Sequence, residues 1–279
     1  MRLWRTPTIY ILIVTLCILC GLLYFRQKKV TEGFTDASIP RIIWSYWNDP
    51  QIPPKVENIM REREILLSTW EHRVLNEESV HNYIPRDAFP EGYYQLSHQH
   101  KADWIRLYLL KNYAGCWMDS SIIVNRSDEI EEIYEESLSI QSELSAYSHS
   151  GSDTYIETFL IMAPVDSKVI KVWFTEYTSA IEMGFLPYKK KVTSKIDVSN
   201  CFSGEDDVYL TTSAALQYTL RVQLYNKPRM VLKDRYKTIY KYLNECNHDS
   251  KCVISKIKNT PKNEQPANIK LTRFNREYL

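Results

Sequence analysis

The chain has 279 residues, enough for one large domain with accessory segments. Its 35 basic and 34 acidic residues leave a formal net charge of +1. Proteins that bind nucleic acids normally carry a basic excess, so this balance argues against nucleic acid as a partner.

Residues 8–25 form an uncharged apolar stretch between Arg5 and Arg26. A stretch of this length is just long enough to cross a bilayer as a helix. A cleavable signal peptide is the alternative, but such peptides have a shorter apolar core, and no small-residue cleavage site follows here. We therefore predict a short tail at 1–7, one transmembrane signal anchor at 8–25 and a stem at 26–38.

The folded domain is expected to begin at residue 39. The β-branched and aromatic residues at 41–47 predict its first strand. Ser45, Tyr46 and Trp47 lie at the carboxyl end of this strand, which is where α/β domains bind ligands. The alternative is that the two aromatic residues belong to the core. A helix at 55–70, a second strand at 71–76 and another helix at 77–83 are predicted next.

Residues 102–113 are apolar on nearly every side of a helix, which predicts a buried helix. Asp103 and Arg106 interrupt this pattern, and their spacing of three places them on one face. They either form a buried ion pair or point together into a polar site. Burying two charges is costly and need not stabilise a fold, so we favour the site.

Two short apolar runs at 116–118 and 122–124 predict strands, and Asp119, Ser120 and Ser121 separate them. A carboxylate at the end of a strand is either an ordinary turn residue or a ligand of a hard cation. Mg²⁺ and Mn²⁺ prefer such oxygen ligands, and phosphates and water complete their shell.

The helix with Asp and Arg three apart, the turn at 113–115 and the run at 116–121 together resemble the DXD-type glycosyltransferases. The closer similarity is to the capsular polysaccharide synthesis branch, which is glycosyltransferase family 32-like and related to Golgi mannosyl- and galactosyltransferases. The resemblance spans residues 39–184. Ala114 stands where the family usually has the first of two glycines. Ser121 stands where the Golgi members have a second Asp.

The alternation of strands and helices fits an α/β fold with a mostly parallel sheet and helices on both faces. The resemblance implies that this is a GT-A-like domain, which we place at 39–258, after the transmembrane helix. Within it we predict a helix at 128–137, strands at 138–147 and 155–163, and helices at 167–182 and 206–224. Residues 259–279 are polar and are expected to form a C-terminal tail.

The resemblance implies a glycosyltransferase of the hexosyltransferase class, which moves a sugar from a UDP- or GDP-linked donor to a saccharide acceptor and retains its anomeric configuration. Asp119 and Ser121 would hold Mn²⁺ or Mg²⁺ against the donor diphosphate. Asp103 would bind hydroxyls of the donor sugar, and Arg106 would position Asp103 or reach the donor itself.

Further contacts follow from the same resemblance. Ser45, Tyr46, Trp47 and Ser120 would contact the nucleotide donor. Glu157 would serve the catalytic site from the acceptor side, although it is equally compatible with an edge-strand residue that faces water. The alternative function is a non-catalytic, membrane-anchored saccharide-binding protein derived from a transferase.

The compartment is indicated by the anchor and by two cysteines. A single N-terminal anchor together with the resemblance implies a lumen-facing domain, in the Golgi or endoplasmic reticulum if the source is eukaryotic or viral. Cys246 and Cys252 bracket a short polar loop that a disulfide would close in such a compartment. Zinc with His248 is the alternative, but this spacing lacks a second ligand pair.

The anchor leads to a first prediction. The full-length chain should sediment with membranes and keep its N-terminus, because the stretch at 8–25 is uncharged and lacks a cleavage signature. Membrane fractionation with mass spectrometry of the N-terminal peptide measures this. Recovery of a secreted chain that starts just after the apolar stretch would contradict it.

Overall fold

The computed structural model of the chain describes residues 38–272, so the predicted anchor at 8–25 lies outside the described residues. Within 38–272, none of the helices has the length and apolar character needed to cross a bilayer. The described chain from Ile39 onward belongs to one compact unit.

The strands, in chain order, are β1 (Ile42–Tyr46), β2 (Glu71–Leu75), β3 (Gly115–Met118), β4 (Ile122–Val124), β5 (Leu144–Ser148), β6 (Ile156–Ala163), β7 (Met230–Asp234) and β8 (Asn268–Lys270). Six of them form a sheet in the order β2-β1-β3-β6-β5-β7, and β4 pairs with β8 in a separate ribbon. β1 is parallel to β2 and β3, β5 is parallel to β7, and β6 is antiparallel to both β3 and β5. Every strand of the sheet except β6 therefore runs in one direction, and the predicted mostly parallel α/β sheet is confirmed.

The helices are α1 (Pro54–Leu66), α2 (His98–Tyr113), α3 (Asp128–Ser139), α4 (Lys168–Met183), α5 (Phe185–Thr193), α6 (Thr211–Tyr218), α7 (Lys241–Glu245) and α8 (Ser250–Asn259). Helices lie on both faces of the sheet, as predicted. Successive strand residues point to opposite faces, so each strand contributes side chains to a core on either side. Trp44, Trp117 and Ile161 pack in the core shared with α2, α4 and α6. Their neighbours Ile43, Cys116 and Met162 pack in a second core that includes Ile130 and Ile133 of α3.

Helix α2 is the buried helix that the sequence predicts, and it packs directly against α4. It begins after Ser97, whose hydroxyl accepts a hydrogen bond from the His100 amide at 3.3 Å. It ends at Ala114, which has a φ of 57°, and Gly115 follows with a φ of 97°. Both residues of this turn adopt the left-handed region, which explains why two glycines would suit it.

Several predicted elements differ in extent from the observed ones, and the helix predicted at 55–70 ends at Leu66. The segment at 77–83 contains only a 3₁₀ helix, Ser79–Asn82. Residues 138–143 are the end of α3 and a turn, and the strand starts at Leu144. The helix expected from 206 begins at Thr211, because the Asp207 carboxylate accepts hydrogen bonds from loop amides. Part of the segment predicted as a C-terminal tail is strand β8.

Cys246 and Cys252 are joined by a disulfide, as the sequence predicts, with an S–S distance of 2.07 Å. The bond closes the loop between α7 and α8. This loop contains Asn247 and His248, both of which have positive φ.

The turn at Gly115 provides a stability prediction. Gly115→Ala should lower the free energy of unfolding by about 1–3 kcal/mol, because its φ is left-handed and an added Cβ would lie 2.7 Å from the Ile42 carbonyl oxygen. Gly204→Ala is the matched control, since an added Cβ there meets no atom within 4 Å among the described residues. Urea unfolding of the two variants measures the difference, and equal stabilities would contradict this account of the turn.

Candidate functional site

The candidate site lies at the edge of the sheet where the parallel strands end. β3 ends at Met118 and is followed by Asp119, and β7 ends at Asp234 and is followed by Arg235. β6 runs in the opposite direction, so Glu157 near its start lies at the same edge. This is the edge at which open α/β sheets bind ligands.

Asp103 and Arg106 are buried and form an ion pair, with Arg106 Nη1 2.8 Å from Asp103 Oδ1. Thr212 of α6 donates its hydroxyl hydrogen to Asp103 Oδ2 at 2.6 Å. Burial raises the pKa of Asp103 above its usual range, although Arg106 and Thr212 act in the opposite direction. Both carboxylate oxygens have protein partners, so the geometry is that of the buried ion pair. The role of Asp103 toward a donor sugar stays a prediction.

Asp119 is joined to this pair through Arg106. Its Oδ1 accepts hydrogen bonds from Arg106 Nη2 at 3.2 Å and from Trp117 Nε1 at 2.9 Å, and its Oδ2 accepts one from Lys270 Nζ at 2.7 Å. Burial would raise the pKa of Asp119, but the charges of Lys270 and Arg106 outweigh it and hold the pKa below its usual range. The side chain is still 25% exposed. Asp119 is therefore an ionised carboxylate that a ligand can reach.

Lys270 links Asp119 to Ser121. Its ammonium nitrogen lies 2.7 Å from Asp119 Oδ2 and 2.7 Å from Ser121 Oγ. The pairing of β8 with β4 sets Lys270 opposite Ile122, and the next amide, that of Leu271, donates to the Ser121 carbonyl at 3.1 Å. The ammonium group therefore sits between the two oxygens that the sequence predicts as metal ligands.

The donor set around Asp119 does not fit Mn²⁺ or Mg²⁺ as it is arranged. Both carboxylate oxygens of Asp119 face cationic side chains, and the Ser121 hydroxyl faces Lys270. Across residues 38–272, no cluster of three or more His, Cys, Asp or Glu side chains is placed to share a metal ion. Mg²⁺ is normally held by carboxylates, phosphates and water, without an ammonium group among its ligands. Use of a metal in the reaction stays a prediction.

Ser45 is buried beneath the acidic loop. Its hydroxyl donates to the Met118 carbonyl at 2.6 Å and accepts a hydrogen bond from Arg63 Nη2 at 2.8 Å. Arg63 Nη1 lies 3.3 Å from the carbonyl oxygen of Asp119. Burial lowers the pKa of Arg63 to about 10, so it is a cation at neutral pH. Ser45 therefore links β1 and α1 to the acidic loop through buried hydrogen bonds.

Tyr46 and Ser120 are also buried. The Tyr46 hydroxyl donates to Glu77 Oε1 at 2.8 Å, and the Ser120 hydroxyl donates to the Tyr46 carbonyl at 3.1 Å. Trp47 is half-buried just beyond the end of β1. The predicted nucleotide contacts of Ser45, Tyr46, Trp47 and Ser120 stay predictions, and the observed hydrogen bonds of the three buried residues are internal.

Glu157 belongs to a second charged cluster at the same edge. Arg235 Nη1 donates to its carboxylate, and Arg235 Nη2 donates to the Tyr236 hydroxyl at 2.6 Å. The guanidinium carbon of Arg235 lies over the rings of Tyr155, Tyr236 and Tyr240, at 5.0, 4.6 and 5.4 Å from their centroids. β6 is an interior strand and Glu157 is buried, so the alternative of an edge-strand residue facing water is wrong.

Three partners in these clusters were absent from the residues predicted for the site: Lys270, Arg235 and Thr212. Lys270 did have a local signal, because apolar Ala267, Ile269 and Leu271 alternate with polar residues at 267–271, which is the pattern of a strand.

The comparisons with known proteins bear on this edge. Residues 22–180 match the family model for "Capsular polysaccharide synthesis protein". The matched segment is more than half of the chain and includes Asp103, Arg106, Asp119 and Glu157. A comparison with curated proteins found no match. A similar solved structure is that of a glycosyltransferase involved in the glycosylation of the major capsid of PBCV-1, at 15% identity and a TM-score of 0.41, with 85% of this chain and 98% of that chain covered. At that identity and score, the likeness carries no argument about activity.

The buried pair provides a further prediction. Asp103→Ala should lower the free energy of unfolding by about 3 kcal/mol or more, because it removes a buried partner of Arg106. Asp153→Ala is the matched control, since Asp153 pairs with Lys227 at the surface and such pairs contribute less than about 1 kcal/mol. Chemical denaturation measures both. Similar losses in the two variants would show that the Asp103 pair does not hold α2 in place.

Proposed function

Because the chain belongs to the capsular polysaccharide synthesis protein family, we propose that it is a glycosyltransferase that moves a sugar from a nucleotide-sugar donor to a saccharide acceptor. The observation that carries the proposal is the position of Asp119. It is ionised, partly exposed and placed at the carboxyl end of β3, inside the segment that matches the family. That is where an α/β sheet receives a ligand.

The charges around Asp119 favour an anionic ligand. Arg106 and Lys270 pair with the carboxylates of Asp103 and Asp119. The buried guanidinium of Arg63, which donates to the Asp119 carbonyl, adds a third positive charge, so one is in excess. Such an excess attracts a substrate of opposite charge. A UDP- or GDP-linked donor carries this charge on its diphosphate, so we place the diphosphate beside Asp119 and Lys270.

The reaction breaks the bond between the anomeric carbon and a diphosphate oxygen. The departing diphosphate keeps the electron pair, and the nearby cations stabilise its growing charge. The acceptor hydroxyl forms the new bond to the anomeric carbon and releases its proton to the departing diphosphate. We propose, with the family resemblance as support, that the domain is GT-A-like and that the anomeric configuration is retained.

The acceptor is assigned to the neighbouring cluster of Glu157, Arg235 and the tyrosines. Aromatic faces and a paired carboxylate offer both apolar contact and hydrogen bonding to a sugar ring. Burial raises the pKa of Tyr240 above its usual range, and the charges of both Arg235 and Asp119 act on its hydroxyl. The Tyr240 ring lies 5.4 Å from the Arg235 guanidinium carbon and 5.3 Å from the Phe159 ring, and the Lys270 ammonium lies 5.7 Å from that same Phe159 ring. The two clusters are therefore adjacent, which suits transfer from one to the other.

The proposed setting is the lumenal side of a membrane, with the anchor at 8–25 as the attachment. The disulfide between Cys246 and Cys252 supports this setting, because such bonds persist in oxidising compartments.

A donor panel tests the proposal. The purified full-length chain, incubated with UDP- and GDP-linked sugars with and without Mn²⁺, should hydrolyse or transfer from at least one donor. Asp119→Ala should reduce that turnover about 100-fold or more, since Asp119 holds Lys270 and Arg106 in position and small misplacements of catalytic groups cost about that factor. Asp153→Ala, which removes a surface carboxylate, should retain the wild-type rate.

Two outcomes would contradict the proposal. Binding of glycans without turnover of any donor would favour the saccharide-binding alternative. Wild-type turnover by Asp119→Ala would show that the reaction does not take place at the end of β3.

A further inference from the structure

Lys270 occupies the position between Asp119 Oδ2 and Ser121 Oγ, at 2.7 Å from each. We propose that Lys270 is the cation that faces the donor diphosphate, and that this chain transfers sugars without a divalent metal. The inference rests on the proposed glycosyltransferase function and specifies how that site handles the charge of its donor.

The space between the two oxygens is already filled by the ammonium group. Mg²⁺ binds oxygen ligands at about 2.0–2.1 Å, so an ion bound to both Asp119 and Ser121 would overlap the Lys270 nitrogen. It would also place two further positive charges directly beside a third. The metal would therefore first have to displace the lysine and break two short hydrogen bonds, one of them to a charged carboxylate.

The backbone of β8 opposes such a displacement. Lys270 pairs with Ile122 across the ribbon, its own amide donates to the Ile239 carbonyl at 3.2 Å, and the Leu271 amide donates to the Ser121 carbonyl at 3.1 Å. The base of the side chain is therefore fixed from both sides. The side chain lies along the Phe159 ring, with the ammonium 5.7 Å from the ring centroid, and 13% of it is exposed toward solvent.

The count of carboxylates leads to the same assignment. Mg²⁺ is usually held by one or two carboxylates together with phosphate and water oxygens, and within 38–272 no cluster of three or more His, Cys, Asp or Glu side chains is placed to share a metal ion. Asp119 is the acidic group at the predicted metal position, and its charge is balanced by Lys270 and Arg106. One carboxylate that already has two cationic partners offers little attraction to a metal, whereas the excess positive charge attracts a diphosphate.

In the transfer step, Lys270 acts through its positive charge and transfers no proton. The bond from the anomeric carbon to the diphosphate breaks, the diphosphate oxygen takes the electron pair, and the ammonium charge stabilises that oxygen. The acceptor oxygen bonds to the anomeric carbon, and its proton passes to the departing diphosphate. The ammonium thus supplies the electrostatic stabilisation that a Lewis acid would otherwise provide.

The test measures binding of UDP and GDP to the full-length chain by calorimetry in EDTA, and turnover of the active donor in the same buffer. Wild type should bind and turn over equally in EDTA and in Mn²⁺. Lys270→Ala should weaken nucleotide binding in EDTA about 10- to 100-fold, as expected for loss of a charged hydrogen-bonding group. Lys233→Ala is the matched control, because that lysine also makes two short polar contacts, to the carboxylates of Glu132 and Glu136 on α3.

A gain of metal dependence is the sharpest expected result. Removal of the ammonium in Lys270→Ala leaves Asp119 and Ser121 open to a cation, so Mn²⁺ should recover part of the lost nucleotide binding in that variant while leaving Lys233→Ala unchanged. Circular dichroism checks that each variant is folded. If Lys270→Ala does not fold, the comparison of wild type in EDTA and in Mn²⁺ decides the question.

The outcomes separate this inference from the function on which it rests. Wild-type binding and turnover that appear only with Mn²⁺ would overturn the role of Lys270 and leave glycosyl transfer intact. A chain that binds neither nucleotide and turns over no donor, with or without Mn²⁺, would overturn both.

Discussion

Arg106 is a buried cation on α2, and the surrounding structure pairs its charge. Removing a guanidinium group from water costs several kcal/mol unless it is paired and hydrogen-bonded. Its partners come from two places, Asp103 on its own helix and Asp119 after the next strand, and its guanidinium carbon also lies 5.0 Å from the Trp117 ring centroid. The short turn through Ala114 and Gly115 brings the strand back along the helix, so that both carboxylates reach the same cation.

The direction of β6 determines at which edge of the sheet Glu157 lies. If β6 ran parallel to its neighbours, Glu157 near its start would lie at the far edge of the sheet. Because β6 is antiparallel to β3 and β5, Glu157 meets Arg235, which directly follows β7. Two charged clusters therefore share one edge, each built from a carboxylate and a basic residue from a distant part of the chain.

The sequence was sufficient for the parts of the fold that are local. The buried helix, the strand that follows it and the loop at Asp119 are contiguous, so periodicity and spacing predict them. The contact between Asp103 and Arg106 follows from helix geometry. The structure shows the two side chains as a buried ion pair, in which Thr212, 109 residues away, donates to the remaining oxygen of Asp103. Lys270 lies 151 residues from Asp119, and no local pattern can specify such a contact.

The pairing of β8 with β4 has a consequence for how the protein is made. Synthesis proceeds from the N-terminus, so all six strands of the central sheet, up to Asp234, precede β8 in the growing chain. The nascent polypeptide can assemble its sheet while Asp119 still lacks Lys270. The site is completed only after α7, the disulfide loop and α8 have emerged and β8 has joined the ribbon. An unfinished chain therefore lacks a cation that completes its site.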